Sequence, residues 1–533
     1  MTDGYKSSTT ADLPARVRFA MPSVADLIFI ALLATIVFTP LSERLLGDAG
    51  TGWHIRTGQL ILDTKTIPHT DPFSSTMQGR PWFAWEWLYD LVVGKLDRAF
   101  GLNGVVWLTA VIAAGVFAWT FRAIVLHGTN LLVALVLYLL AVSASTIHLL
   151  ARPHVFSWLF ALGWFLILSD YERKGAGWRR GKLWLLPLLM IVWVNVHGGF
   201  VLGFALLGIF WLAAAWEWVS TSGDRIEDTL ERLSSSGRMR ELLVTGLLTA
   251  LATMVNPYAW NLPRHVWSYL NDRFLMDHID EFRVPDFHLI APKCFLALVL
   301  LAMVALARRG RESSGCQMRI SAILTLLFAT ASGVYASRNI PVSSLLLAMV
   351  IGPALSPGNG WWGGFLDRMR ETEMALRGHL WPIVAVLVTL GIVANGGRAG
   401  SAQLMDAHFD PRRQPVAAVD YLEKNRIAGP VLAPDMYGGY VIYRLYPRML
   451  VVADDRHDMY GSEFFKSYLK LMRGEPGWDE VLHAHPAGCV LLPKDSPLVS
   501  LLLLETAGWT KIYGDDLAVI FVPAVGRLQS ASH

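Results

Sequence analysis

Apolar runs of about membrane-crossing length recur along this chain and stop near residue 397. They begin near Val24, Leu102, Asn130, His154, Leu183, Phe200, Glu241, Lys293, Ile320, Ile340 and His379. A helix needs roughly 20 apolar residues to cross the hydrocarbon layer. The pattern therefore predicts a polytopic α-helical membrane protein with about eleven transmembrane helices, although Leu183–Val196 and Leu242–Val255 are short for the task. The polar intervals divide by charge. Tyr171–Lys182, Ser220–Arg240, Arg308–Arg319 and Pro357–Gly378 hold clusters of Arg and Lys, among them Arg179, Arg180, Arg225, Arg311 and Arg377. The alternate intervals are tight turns at Ala151–Arg152, His197–Gly199 and Ser337–Asn339, together with two long mixed-charge loops, Gly47–Gly101 and Pro257–Pro292. Basic loops stay on the cytoplasmic side. This places the N-terminal tail, residues 1–23, inside, and an odd number of crossings puts the C-terminal region outside. The first run follows Arg16 and Arg18 without a small-residue cleavage site, so it reads as a retained signal-anchor.

After residue 397 the periodicity changes. PVAAVDYLEKN and SEFFKSYLKLMRG have helical spacing, GPVLAP and LAVIFVP are strand-like, and VIYRLYP and MLVVADD lie between them. Alternating patterns of this kind predict a small soluble α/β domain over 398–533. The membrane region is 24–397, and its long first outer loop is 47–101.

Composition agrees with this division. The 533 residues are 53% hydrophobic and only 17% charged, against about 25% charged in soluble domains. Many of the 21 Trp sit near the ends of apolar runs, as in the aromatic belts of membrane proteins. A net charge of +3 with no basic, aromatic-interleaved cluster gives no reason to expect nucleic acid. Cys294, Cys316 and Cys489 are too few and scattered for a disulfide framework or a structural zinc site. No GxxxxGK[ST], HExxH or GxSxG motif is present, and GNGWWGG has no strand before it to make a phosphate cradle.

The candidate chemistry gathers on the outer face. Asp48 closes the first helix, and the loop behind it carries His54, Arg56, Asp71 and Glu86. The outer turns add Arg152 and His154, Asn195 and His197, and Arg338 and Asn339. Ionisable residues at such depth are costly and usually functional or paired. An acid with fixed Arg suits transfer of a group from a lipid phosphate to a hydroxyl. The carboxylate takes the hydroxyl proton, and the planar guanidinium bonds two phosphate oxygens at once. Each residue also has a plainer reading: Asp48 as a cap, Arg152 and Arg338 snorkelling, Asp71 in an Asx turn before Pro72, and Glu86 in a stretch lying on the bilayer. What favours function is that separate segments deliver them to one face.

The loop reads GDAGTGWHIRTG, then IPHTDPFSST, then GRPWFAWEWL, and the tail reads GGYVIYRLYPRMLVVADDRHDMYG. With these motifs the chain resembles the GT-C class of membrane glycosyltransferases. That class includes protein O-mannosyltransferases, the lipid A aminoarabinose transferase and oligosaccharyltransferases; the match is to a bacterial subfamily. The resemblance implies a polyprenyl-phosphate sugar as donor, an acceptor hydroxyl on protein, lipid or glycan, and a place in the bacterial inner membrane. It also implies that Asp48, as the loop acid, activates the acceptor; the other outer-face residues are expected, from their placement, to bind substrate. Here Asp48-Ala49-Gly50 stands where metal-dependent members carry further carboxylates; no metal ligand is assigned, and a divalent cation stays open as a cofactor. Two other classes remain: a transporter, and a non-catalytic envelope-assembly protein on the same fold. In the tail, Asp435, Asp454, Asp455, Arg456 and Asp458 stand out. The expectation is a lid over the outer cavity, its carboxylates paired with Arg444, Arg448 or Arg456.

Overall fold

The computed structural model describes residues 15–174, 177, 181–221, 226–309, 318–356, 361–376 and 378–524. Arg179, Arg180, Arg225, Arg311, Arg377, Cys316 and the first fourteen residues of the tail lie outside them. Each of the eleven apolar runs contains a helix. Among the described residues, seven are by length and composition long and apolar enough to cross a membrane: Arg18–Phe38, Leu102–Leu126, Leu131–His148, His154–Lys174, Gly198–Ser220, Ile290–Arg308 and Ser337–Leu355. The bent pair Gly363–Ala375 and Leu380–Ala394 makes an eighth if counted as one span. By length and composition the expected eleven is not confirmed. Leu185–Trp193 has 9 residues, roughly 14 Å at 1.5 Å per residue, against a hydrocarbon core of about 30 Å. Ile320–Tyr335 has 16 and also falls short. Ile226–Ala252 is long, at 27 residues, but its first half carries Glu231, Arg232, Arg238 and Arg240, which leaves too short an apolar half.

Local signals fix where the helices start. Ser23 caps Val24–Phe38 in a reciprocal box with Asp26, and the Asn130 side chain accepts from the Val133 amide at the start of Leu131–Ser145. Two free backbone amides of the first span, those of Val24 and Ala25, donate to Glu373 at 2.7 and 3.3 Å. Such capping satisfies N–H groups that have no partner within the helix.

The first outer loop folds as the helix Gly50–Thr64, an irregular stretch, and the helix Trp87–Phe100. The C-terminal region holds a four-stranded sheet in the order Val431–Leu432, Cys489–Pro493, Ala518–Pro523, Trp509–Gly514. Its first pair is parallel and the other two are antiparallel. VIYRL belongs to the helix Asp435–Leu445.

This region packs closely against the first outer loop. The Phe73 carbonyl accepts from the Val451 amide at 3.1 Å, and the Ser75 amide donates to the Val451 carbonyl at 2.8 Å. Arg56 Nε donates to the Tyr443 carbonyl at 2.7 Å. Gly52 and Gly439 face each other where Gly50–Thr64 meets Asp435–Leu445. A Cβ on either would collide with the other helix's backbone, so only glycine permits this approach. One hydrophobic core runs from the membrane helices through Phe73 and Trp82 to Tyr440 and Val451.

Candidate active site

A cavity of about 900 Å³ opens where the outer turns, the first loop and the C-terminal region meet. One wall is apolar, with Val201, Leu202, Phe328, Val342 and Leu346 from the membrane helices. The opposite wall is ionic. At its centre, Arg152 Nη1 reaches both Asp48 oxygens at 2.9 Å and Asp455 Oδ2 at 3.0 Å. Arg152 owes its position to the break between the spans ending at His148 and beginning at His154. Asp48 is held from behind as well, its Oδ1 accepting from the Gly50 amide at 2.7 Å, one residue ahead of the helix's N-cap, Ala49. Trp53 Nε1 donates to Asp455 Oδ1 at 2.8 Å. Burial raises the Asp455 carboxyl to about 6, with Arg152 opposing the rise and Asp48 and Asp454 adding to it.

A second group lies alongside. Glu86, at the start of the helix Trp87–Phe100, has Oε2 3.7 Å from His54 Nε2 and Oε1 3.8 Å from His197 Nε2. His54 is fully buried, and its Nδ1 meets Asp90 Oδ1 at 2.6 Å. Ser157 lies 2.7 Å from His197 Nδ1. Burial, only partly offset by Arg152, raises the Glu86 carboxyl to about 8.

A third group comes from the loop after Pro257. Glu281 Oε1 is 3.7 Å from His148 Nε2. Burial would raise the Glu281 carboxyl, but His148 and Arg338 outweigh it and hold it down at about 2. Arg338 lies over the Phe282 ring, 4.4 Å from its centre. Among the described residues no carboxylate lies within 4 Å of Arg338, in contrast to Arg152 and Arg456.

Of the residues singled out in the sequence, Asp48, Glu86, Arg152, His154, His197, Arg338 and Asn339 line this one cavity. His154 Nε2 is 2.6 Å from the His148 carbonyl oxygen, and Asn339 donates to the Ser332 carbonyl at 3.1 Å. His54 stands behind Glu86. Three others lie elsewhere. Arg56 clamps the loop to the Tyr443 carbonyl and Gln59. Asn195 spends its amide on Trp87 Nε1 and on the Ile191 and Val255 carbonyls, which positions the helix start beside Glu86. Asp71 accepts from the amides of Phe73 and Ser74 and meets Arg456 at 2.8 Å.

The tail's acidic motif divides its work. Asp454 and Arg456 form a buried two-pronged pair, at 2.8 and 2.7 Å, while Asp455 alone turns to Arg152. Arg444 pairs instead with Asp420 and Glu423. Asp435 meets His457 at 2.8 Å, and Asp458 meets His265 at 3.0 Å. Burial disfavours the charged His457, but Asp435 outweighs it and holds the imidazole above its ordinary value. Asp90 and Glu281 were not singled out in the sequence; the long mixed-charge loop was the only hint of Glu281. Among the described residues no group of three or more His, Cys, Asp or Glu is arranged to hold a metal. Between Asp48 and Asp455 sits the Arg152 guanidinium.

With this geometry in view, comparison with known proteins finds structures alone. The chain is similar to the arabinofuranosyltransferase AftD from Mycobacteria, with 14% identity and a TM-score of 0.48 over 96% of this chain and 42% of that one. It is similar also to ArnT from Cupriavidus metallidurans, with 14% identity and a TM-score of 0.40 over 93% of this chain and 96% of that one. The chain thus spans less than half the length of AftD. No family model matches, and no curated protein matches. Both TM-scores lie below 0.5, and the chemistry below rests on this chain's own residues.

Proposed function

We propose that this protein is a membrane glycosyltransferase. It moves a sugar from a polyprenyl-phosphate-linked donor to an acceptor hydroxyl at the extracytoplasmic face of the bacterial inner membrane. The observation that carries this reading is the two-sided cavity, whose apolar wall continues the membrane helices and whose opposite wall is ionic. A lipid-linked sugar phosphate has the same division: the chain lies along Leu202, Phe328 and Leu346, and the phosphate and sugar reach the ionic wall. Arg338, a cation with no carboxylate partner within 4 Å among the described residues, is the phosphate ligand. Asp48 accepts the acceptor's proton, and Arg152 and Asp455 hold it in place. The new bond joins the acceptor oxygen to the sugar's anomeric carbon. The bond from that carbon to the phosphate oxygen breaks, and its electron pair leaves with polyprenyl phosphate.

Purified protein incubated with a panel of labelled polyprenyl-phosphate sugars is expected to release polyprenyl phosphate from at least one. No release from any member, with a mixed set of acceptors, overturns the reading. Arg338→Lys keeps the charge and loses the two-pronged fork, so donor binding should weaken about tenfold; unchanged binding would leave Arg338 a simple interfacial anchor. The orientation has its own check. His154–Lys174 begins at the cavity and ends in Arg173 and Lys174, and basic ends face the cytoplasm. A phosphatase reporter fused after Arg398 should be active and one within 308–319 silent; the reverse pattern moves the site to the cytoplasm.

A further inference from the structure

We propose that Glu86, backed by His54 and Asp90, is the proton donor to the departing phosphate, a second acid–base group in the cavity distinct from Asp48. The proposal rests on the glycosyltransferase reading above and assigns the other half of its proton traffic.

The geometry is that of a relay with its last member facing the cavity. Asp90 and His54 are both fully buried, and they meet through Nδ1 at 2.6 Å. His54 Nε2 has no hydrogen-bond partner, nor has Asp90 Oδ2. A buried nitrogen without a partner is costly, and this one is aimed at Glu86 Oε2, 3.7 Å away. At that distance the two are neighbours without a formed hydrogen bond, a gap that a small movement of Glu86 closes. A carboxylate that orients an imidazole, whose other nitrogen faces the reacting group, is the arrangement that fixes an acid–base histidine in catalytic triads. Here the third member is a carboxyl. Among the described residues the Glu86 side chain has no hydrogen-bond partner; it lines the cavity, and the residue is 8% exposed.

The charges around Glu86 set its working state. His54 lies on the helix before it and His197 on the turn across from it. Arg152 and Arg338 face it from two outer turns, and Asp455 and Asp458 from the C-terminal region. Burial outweighs the two cations, so below pH about 8 the carboxyl keeps its proton.

The step balances without a co-reactant. The bond between the anomeric carbon and the phosphate oxygen breaks, and its electron pair stays on that oxygen. The phosphate then takes the Glu86 proton, while the acceptor's proton goes to Asp48. After product leaves, Asp48 releases its proton to water and Glu86 regains one.

Glu86→Gln keeps the size and removes the transferable proton. It should lower kcat by roughly 10²-fold, the lower end of general acid–base effects, with donor KM little changed. Wild-type kcat should fall on going above pH about 8, and that fall should be absent in the variant. A polyprenyl-diphosphate sugar, whose leaving group needs less protonation, should restore much of the loss. Equal loss with both donors and an unmoved pH profile would make Glu86 a wall residue only. A measurement that needs no turnover separates this proposal from the function it rests on. Infrared difference spectra of wild type against Glu86→Gln should show a protonated carboxyl at pH 7 that is lost above pH about 8. Absence of that band sinks the proposal even if sugar transfer is established; its presence in a protein that transfers no sugar keeps the protonated acid and removes its proposed use.

Discussion

Asp48→Asn should abolish most sugar transfer, lowering turnover by roughly 10²–10⁴-fold, the range for loss of a general base. Asparagine keeps the side-chain oxygen that accepts from the Gly50 amide, so the start of the Gly50–Thr64 helix is retained. Arg152 keeps its second partner, Asp455. The loss should therefore fall on the chemical step, with donor binding nearly intact. The check is donor affinity measured on the same preparation as turnover. An Asp48→Asn protein that turns over like wild type sinks the base assignment; one that loses donor binding along with turnover makes Asp48 a structural partner of Arg152.

The second large effect is on stability. Arg456→Met should destabilise the protein by about 3–5 kcal/mol, the cost of breaking a buried ion pair by removing one partner. The Arg456 side chain is 1% exposed, and those of Asp71 and Asp454 are 0%. Its guanidinium also lies 4.6 Å from the centre of the Trp82 ring and 5.2 Å from that of Phe73. Methionine fills part of the space and leaves two carboxylates buried without their cation. A fall in the denaturation midpoint of the detergent-solubilised protein measures this. Because Asp71 belongs to the first loop and Asp454 to the C-terminal region, protease cleavage between the two parts should rise with it. A midpoint equal to wild type would mean that water reaches the carboxylates and screens them.

The sequence makes some of this legible because membrane topology constrains it strongly. Once the basic loops fix the inside, Asp48, Arg152, His197 and Arg338 must all lie on the opposite face, and they share one cavity. Helix existence was readable from apolar runs at every one of the eleven positions. Helix length was not, because Leu185–Trp193, at 9 residues, and Ile320–Tyr335, at 16, lie in apolar runs that look like those of the longer helices. Arg56, Asp71 and Asn195 show a different limit: a residue's type and its loop do not say which way its side chain turns, and these three turn to backbone carbonyls, backbone amides, Trp87 and Arg456. Asp455 was visible as one acid among several in VVADDRHD. That it, and not Asp454, meets Arg152 depends on a contact between residues 303 positions apart, for which no local pattern exists. His54 stands out in the sequence, but its pairing with Asp90, 36 positions away, was hidden because a buried acid facing a buried histidine looks, in sequence, like two ordinary residues of two amphipathic helices.

The pairing of Arg152 with both Asp48 and Asp455 also orders events during biosynthesis. Asp48 and Arg152 emerge from the ribosome early, with the first membrane helices, whereas Asp455 follows only after the last of those helices has been made. Until the tail is translated and docked, Arg152 has one carboxylate where the finished protein has two, and the Glu86 side of the cavity has no roof. A half-made chain already inserted in the bilayer therefore holds the apolar groove without the completed ionic wall. Its lipid-facing surface exists before the full set of Arg152 partners does, so on the proposed function a copy that stops short of Asp455 should transfer no sugar.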